Sequence, residues 1–512
     1  MIKIKKIFKS FYKKHEKLSL FFLLLTSLLF AVSLVFIVSD FDKAKTDSKY
    51  YVVLRPDGFH PKELVVPKGA TVVFSSENEL FWPASSPHPE HTDYAAFDPK
   101  RPLEHSETWE FVFDKIGTWL YHDHIQHGRV GRVTVVENLD TDALIASAKT
   151  DCLELPEEQK LGCWDSQLEK VLVSAGLDAA FNAFQEIYTT EPDVPKACHE
   201  WGHVLGEAAF DLYKVGKDIS FRKEMGYCGY GFFHGFLEGM TAYTGDVTEA
   251  SRWCQSLIKN LENNQGPWKN CVHGVGHGST AWLLENKHNW GNFQKVADLG
   301  LDLCEKAFEE GDLVDCYDGV FNELHLELLN SEYQLNFRDF VAKNDPYYYC
   351  RGQQDRHKES CYFEFAGIFY KLFDFDLQAA TDYVVKNTED LDRRGPRVIA
   401  KLAADFMQFD IVNSDYKNNI QVCRTVPNKL FEHCLNGIIN GFIQHGEPEN
   451  LHTRSLAFCK ADYLTENERK SCHHTLLGYL RWHYTVDKMK EVCGLVGKEY
   501  KEECLPHELK SI

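Results

Sequence analysis

Two hydrophobic periodicities divide the chain near residue 140. Between Tyr50 and Glu137, apolar and polar positions alternate in short runs that Gly and Pro separate: YVVLRP, LVVPKGATVVF, TWEFVF, GTWLYHDH and GRVTVVE. Alternation with a period of two, in short runs bounded by turn residues, predicts β-strands. Five or more such strands in about 90 residues indicate a small β-sandwich or barrel, which we place at residues 50–138.

Residues 141–512 have a helical period and repeat a short motif. Four segments read Cys-x-x-Gly-x-x-His/Asn, namely CGYGFFHG from Cys228, CVHGVGHG from Cys271, CYDGVFNE from Cys316 and CLNGIING from Cys434. Looser copies begin at Cys361 and Cys472, and a degenerate copy without cysteines covers Leu391–Phe409. Such a repeat predicts an all-α array of helical hairpins. Because glycine costs helix stability, we expect the repeated glycines to let neighbouring helices approach closely.

Cysteine usage predicts an oxidising compartment. The chain has 16 cysteines, most of them in short-range pairs and none in the C-x-x-C clusters of zinc sites. Bridges that close loops of this size each contribute about 3 kcal/mol in the chain-entropy model. The spacing predicts eight disulfides, which are Cys152–Cys163, Cys198–Cys228, Cys254–Cys271, Cys304–Cys316, Cys350–Cys361, Cys423–Cys434, Cys459–Cys472 and Cys493–Cys504.

An uncharged apolar segment precedes the β region. Residues Leu18–Val38 would span ~30 Å as a helix, which matches one hydrocarbon core. Seven lysines lie within residues 1–17, and this favours a cytoplasmic location for that segment. We therefore expect an uncleaved, single-pass transmembrane helix at 18–38, with residues 40–512 on the extracytoplasmic (periplasmic or extracellular) side. A cleaved signal peptide is the alternative.

The charge balance limits the classes of partner. The net charge is -20 at pH 7, and 44% of the residues are hydrophobic, as expected for globular domains. Nucleic acid is an unfavourable partner for such a surface, because its phosphates require positive charge. We expect no nucleic-acid binding.

Two stretches of the β region resemble cupredoxins. Residues Phe59–Phe74 (FHPKELVVPKGATVVF) are similar to the opening strands of that family, and Gly117–Val136 (GTWLYHDHIQHGRVGRVTVV) matches its final hairpin in the Gly, Tyr and Val positions. The resemblance covers about 90 residues and implies a cupredoxin-like, plastocyanin-type sandwich. It also implies a metal site at the end of the sandwich where this hairpin meets an upstream loop.

The usual copper ligands of the family are replaced. On the family pattern Tyr-x-Cys-x-x-His-x-x-Met-x-Gly, the cysteine falls on Asp123, the histidine on Gln126 and the methionine on Arg129. The family's upstream histidine falls near Pro83. A type 1 copper site requires a thiolate, so we predict that no type 1 site is present.

Five histidines crowd the same end of the predicted domain: His88, His91, His122, His124 and His127. The H-x-H pair shares one face of a strand, and the upstream pair lies in a loop stiffened by proline. The H-x-H arrangement resembles the all-histidine copper positions of multicopper oxidases. Neutral imidazoles suit copper, zinc or nickel, and copper leads in affinity.

We therefore predict a histidine-only, type 2-like copper site, with zinc as the alternative ion. Asp123, the central residue of the H-x-H pair, points away from the histidine face and is a candidate to orient a ligand from behind. The competing interpretation is a domain that has lost its metal and keeps these histidines as polar surface residues.

The helical half contains a match to the zincin motif. His199-Glu200-Trp201-Gly202-His203 reads H-E-x-x-H, in which two histidines on one helix face bind zinc and the glutamate activates water. The repeat at His273–His277 has a glycine in place of the glutamate, which favours a structural repeat position over a protease. Glu200 is therefore the catalytic candidate only if a hydrolase is present.

A second metal or haem-like site is the intermediate interpretation. Three adjacent hairpins carry histidines with ligand-like spacing, and these could converge. The residues are His199, His203, His234, His273 and His277. Core histidines with satisfied hydrogen bonds are the alternative.

The function that these patterns favour is a membrane-anchored, extracytoplasmic copper-binding protein. The helical array would serve as a scaffold or as a surface for a protein partner. An envelope interaction protein without metal is the first alternative. A copper oxidoreductase, or a zinc hydrolase using His199, Glu200 and His203, is the second.

Overall fold

A boundary after Leu139 separates two units of different secondary structure, Met1–Leu139 and Asp140–Ile512. The computed structural model describes residues 49–189, 194–258, 265–327, 345–413 and 416–504. The predicted cytoplasmic segment 1–17 and transmembrane helix 18–38 lie outside these residues. Among the helices that are described, none combines the length and the apolar character needed to cross a bilayer.

The described part of the first unit, residues 49–139, contains eight strands in two four-stranded sheets. The first sheet has the order β2-β1-β4-β6 and the second β3-β8-β7-β5. Pairing is parallel between β1 and β4 and between β3 and β8, and antiparallel elsewhere. The strands are β1 Lys49–Arg55, β2 Gly58–His60, β3 Glu63–Pro67, β4 Ala70–Ser76, β5 Pro83–Ser85, β6 Trp109–Phe113, β7 Gly117–Asp123 and β8 Val130–Val136.

Alternating apolar positions explain why this unit is a sandwich. Val52 and Leu54 in β1, and Val133 and Val135 in β8, are at most 1% exposed, whereas intervening positions are partly or fully exposed. Tyr121 is buried, and its ring centroid lies 4.8 Å from that of Phe59. The predicted β region at 50–138 is confirmed, with strands from 49 to 136.

The second unit is helical. Short 3-10 turns at Lys223–Gly226, Lys287–Asn289, Ala366–Ile368 and Lys498–Tyr500 join some of its helices. The α-helices are α1 Thr141–Thr150, α2 Glu157–Ala175, α3 Leu177–Tyr188, α4 Val194–Lys214, α5 Tyr227–Thr244, α6 Val247–Ile258, α7 Gln265–Glu285, α8 Phe293–Ala307, α9 Leu313–Glu327, α10 Tyr348–Arg351, α11 Asp355–Phe365, α12 Phe369–Leu372, α13 Leu377–Asn387, α14 Leu391–Asn413, α15 Tyr416–Cys423, α16 Asn428–Gln444, α17 Leu451–Cys459, α18 Glu466–His483, α19 Val486–Leu495 and α20 Lys501–Cys504.

Disulfides link most helices to the next helix of a hairpin. The bridge between Cys254 and Cys271, for example, ties α6 to α7. All eight pairs that the spacing predicts are present, and together they use every cysteine of the chain. The predicted helical region with several disulfides is therefore confirmed.

The helical array closes on itself. Successive contacts run from α5 through α7, α9, α11, α14 and α16, and α16 returns to α5. The Tyr188 hydroxyl donates to the carbonyl oxygen of His445 at 2.7 Å, which joins the start of the array to the end of α16. The unit is thus a ring of helices rather than the open superhelix that a simple repeat array would form. The predicted degenerate copy, Leu391–Phe409, lies within α14, one of the ring helices.

Repeated glycines bring these helices into backbone contact. A side-chain carbon at Gly231 would overlap the His199 carbonyl oxygen, and one at Gly319 would overlap that of His273. The interpretation of these glycines as close-approach positions agrees with the structure. A consequence is that the histidines on α4, α5 and α7 are drawn towards one another.

Candidate metal centres

Strand pairing places the upstream loop over the final hairpin of the β unit. Ala84 of β5 is paired with His122 of β7, and the His124 backbone N–H donates to the Trp82 carbonyl oxygen at 2.8 Å. The loop that carries His88 and His91 leaves directly after β5. The family resemblance implied this meeting of loop and hairpin, and the structure contains it.

Four histidines present nitrogen atoms to one point. One ligand nitrogen from each of His88, His91, His122 and His124 lies within 4.8 Å of the other three. Nδ1 of His88 is 3.2 Å from Nε2 of His122, and Nδ1 of His124 is 2.9 Å from Nε2 of His91. Adjacent nitrogens of a square-planar ion with bonds of about 2 Å lie about 2.8 Å apart, so these separations suit a single metal ion.

A buried carboxylate fixes the orientation of His91. The Nδ1–H of His91 donates to Oδ2 of Asp98 at 2.6 Å, and both side chains are at most 4% exposed. Since Nδ1 carries the proton, the lone pair of the neutral ring lies on Nε2, the nitrogen that faces His124. A carboxylate behind a ligand histidine is a common arrangement in metal sites, where it sets the tautomer and raises ligand basicity.

Hydrogen bonds keep Asp98 ionised. Burial alone would raise the pKa of this carboxyl, but bonds from Lys100, His91 and Trp82 outweigh burial and hold the pKa well below its usual range. The indole Nε1–H of Trp82 donates at 2.9 Å and the Lys100 ammonium at 2.8 Å. The site thus contains one fixed negative charge beside its imidazoles.

The imidazoles of His122, in β7, and His124, directly after β7, are held in the neutral form. Burial, followed by the neighbouring histidines, lowers the pKa of His122 to about 4, and burial also lowers the pKa of His124. Near neutral pH these rings therefore present lone pairs and not N–H⁺ groups. Neutral imidazole is the form that coordinates metal ions.

Two sequence-predicted residues lie at the edge of the site. His127 is exposed and stacks on His88 with 5.1 Å between ring centroids, outside the four-nitrogen cluster. Asp123, expected to orient a ligand, instead accepts backbone N–H bonds from Trp82, Ile125 and Gln126 at 2.9 to 3.2 Å. It shapes the turn after β7, and Asp98 has the orienting position instead.

In the second unit, the five histidines of the repeat do converge. His199, His203 and His234 form one group of ligand atoms within 4.8 Å. His277 forms another such group with Glu238 and Glu323, while the ring of His273 stacks on His234 with 4.8 Å between centroids. The structure therefore brings all five together, but three belong to one set of ligand atoms, His277 belongs to another, and His273 belongs to neither.

Glu200 is exposed, and its carboxylate is not among the ligand atoms that converge with those of His199, His203 and His234. The carboxylate beside the cluster belongs to Glu238, with Oε1 3.4 Å from Nδ1 of His203. The zinc-hydrolase hypothesis with Glu200 as base is thus not favoured.

Comparison with known proteins gives a likeness to a solved structure over part of the chain. No family model matches the chain, and no curated protein matches it. A solved structure titled "Novel Purple Cupredoxin from Nitrosopumilus maritimus" is similar to it, with 20% sequence identity and a TM-score of 0.15. The match covers 17% of this chain and 99% of the other.

Proposed function

We propose that the β unit binds one copper ion through His88, His91, His122 and His124. The observation that supports this most strongly is the Asp98–His91 pair, which leaves a lone pair facing three further imidazoles. Without a metal ion, such a cluster would hold several desolvated nitrogens against one another at an energetic cost. With a metal ion, each lone pair has a partner.

The donor set favours type 2 copper. All 16 cysteines are in disulfides, so no thiolate is available to form a type 1 site. Four neutral imidazoles bind copper more tightly than zinc according to the affinity order of divalent ions, and zinc is the alternative. His127, whose exposed ring stacks on that of His88 with 5.1 Å between centroids, is proposed as a further ligand.

We further propose that the protein is anchored in a membrane by residues 18–38 and faces an oxidising, extracytoplasmic compartment. The uncharged segment, the lysines before it and the eight disulfides support this location. The helical unit is proposed to act as a scaffold or as a docking surface for a protein partner, and nucleic acid is not expected to bind.

Copper titration of the purified full chain tests the metal proposal. The variant His122→Ala/His124→Ala removes two ligands, so its affinity for copper at this site should fall by at least about 100-fold. His105→Ala is the matched control, because His105 is an exposed histidine of the same unit outside the cluster. Equal copper affinity in the double variant and in the control would contradict the proposal.

A further inference from the structure

The cluster in the helical unit contains two imidazole nitrogens that face each other without a shared proton. The Nδ1–H of His199 donates to the Cys228 carbonyl oxygen at 2.8 Å. A carbonyl can only accept, so the proton of the neutral His199 ring is on Nδ1 and its lone pair is on Nε2.

The same reasoning applies to His203. Its Nδ1 faces the Glu238 carboxylate, with 3.4 Å between Nδ1 and Oε1. The same Oε1 of Glu238 lies 2.6 Å from Nδ1 of His277, so this carboxylate is shared by two histidines. With Nδ1 of His203 turned to the carboxylate, Nε2 is the nitrogen whose lone pair is available to a metal ion.

These two lone pairs are only 3.3 Å apart, Nε2 to Nε2. Nδ1 of His234 is 3.2 Å from the same Nε2 of His203, while the buried Nε2 of His234 has no hydrogen-bond partner. A positive charge between the rings is required to offset the repulsion. A proton on Nε2 of His203 would join one pair of rings, whereas a metal ion would be contacted by the facing nitrogens of all three rings.

The separations match tetrahedral zinc. Zinc–nitrogen bonds are about 2.0–2.1 Å long, and this places two ligand nitrogens of a tetrahedral site about 3.3 Å apart. Two of the histidines are four residues apart on α4 and the third is on α5, so two helices supply three ligands. Three protein ligands leave the fourth position of a tetrahedral zinc ion free for a water molecule.

We propose that His199, His203 and His234 bind a zinc ion through Nε2, Nε2 and Nδ1, with Glu238 as the positioning carboxylate behind His203. This site is separate from the copper site of the β unit. Its geometry repeats the carboxylate–histidine arrangement of Asp98 and His91 on an unrelated fold. Helix packing at glycine positions, with Gly231 against His199 and Gly235 against His203, holds the two ligand-bearing helices together.

Zinc content of full-length variants tests this site. In the His122→Ala/His124→Ala background, which removes the β-unit site, the protein should retain one equivalent of zinc after loading and dialysis. Adding His203→Asn/His234→Asn should remove it. Asparagine is chosen because the repeat itself carries Asn322 at the position equivalent to His234. His474→Ala, an exposed histidine of α18, is the matched control and should retain one equivalent.

Two further measurements test for zinc binding at this cluster even if the asparagine variant is poorly folded. Cobalt(II) bound to the unaltered cluster should show the absorption of a four-coordinate ion, and zinc should displace it. Glu238→Gln should lower zinc affinity about 10–100-fold while leaving the stoichiometry at one.

Absence of zinc in the His122→Ala/His124→Ala protein, or its retention after the asparagine substitutions, would overturn the proposal. The first result would mean that a proton on His203 provides the positive charge. Neither result affects the copper site, whose failure appears separately as unchanged copper affinity in His122→Ala/His124→Ala.

Discussion

At the scale of single residues, the tautomer of His91 decides whether the β unit can hold a metal ion. Asp98 accepts a hydrogen bond from Nδ1–H of His91, and hydrogen bonds from Trp82 and Lys100 keep Asp98 ionised. His91 itself has a φ of 53°, a left-handed conformation that is uncommon for a residue other than glycine. Such conformations persist where surrounding contacts impose them, often at functional sites.

Asp98→Asn should therefore weaken copper binding while leaving the four histidines in place. The amide can still accept from Trp82, but it no longer provides a charged acceptor for Nδ1–H of His91. We expect copper affinity to fall about 10–100-fold, measured by competition with a chelator of known affinity. Asp93→Asn changes an exposed aspartate of the same loop and should leave the affinity unchanged. Equal copper affinities for Asp98→Asn and Asp93→Asn would mean that Asp98 does not prepare His91 for copper binding.

At the scale of elements, helix packing depends on backbone contacts that glycine permits. Gly319 of α9 lies against the His273 carbonyl oxygen of α7, and Gly276 of α7 lies against that of Cys316. Neighbouring helices thus fix each other's spacing reciprocally. A side chain at either point must push the helices apart.

Gly319→Ala should destabilise the helical unit by about 1–3 kcal/mol, because the added carbon overlaps the His273 carbonyl. Gly478→Ala is the matched control, since no atom lies within 4 Å of the position that its added carbon would occupy. That change should be neutral or slightly stabilising, as expected for replacing a helical glycine by alanine. Thermal unfolding, monitored by circular dichroism, distinguishes the two variants. Similar melting temperatures for Gly319→Ala and Gly478→Ala would contradict this packing role.

The start of α18 has an ionic cap whose contribution depends on pH. Glu468 accepts two bonds from Arg424 at 2.9 and 2.7 Å and one from the Thr465 backbone N–H at 2.7 Å. The hydrogen bonds from Arg424 lower the pKa of Glu468. A lowered pKa in the folded state means that the stabilisation is present above the unfolded value of about 4.3 and is lost as pH falls through the folded value.

Glu468→Gln should cost about 1–3 kcal/mol at pH 7, as measured by unfolding of the helical unit. The difference in melting temperature from the unaltered protein should shrink as the pH falls below about 4, because the protonated carboxyl loses the same interaction. Glu466→Gln, an exposed glutamate of the same first turn, is the control and should have little effect at either pH. A pH-independent difference would contradict the ionic origin of the stabilisation.

At the scale of the whole molecule, the disulfides and the proposed copper site belong to different units. Every cysteine lies between Cys152 and Cys504, in the helical unit, whereas the four proposed copper ligands lie in the β unit. The double substitution Cys254→Ser/Cys271→Ser should therefore lower the stability of the helical unit by about 3 kcal/mol. Copper affinity should stay unchanged. A parallel loss of copper affinity would mean that the two units fold or function interdependently.

The β region, the helical repeat and the eight disulfides could be predicted from sequence because each follows from local spacing. The histidines could be predicted as a group for the same reason. Asp98, Glu238 and Glu323 could not, because their contacts with histidines arise only from the folded loop and the closed ring. The sequence predicts an orienting role for Asp123. In the structure its carboxylate instead accepts hydrogen bonds from backbone N–H groups.

Electron paramagnetic resonance of the copper-loaded full chain tests the central claim most directly. The chain carries His203→Asn/His234→Asn, which removes the histidine cluster of the helical unit, so that copper binds at the β unit. The account predicts one type 2 copper ion with several nitrogen ligands and a pale colour, and loss of that signal on adding His122→Ala/His124→Ala. An intense thiolate absorption, or a nitrogen-coupled signal that persists unchanged in that variant, would contradict it.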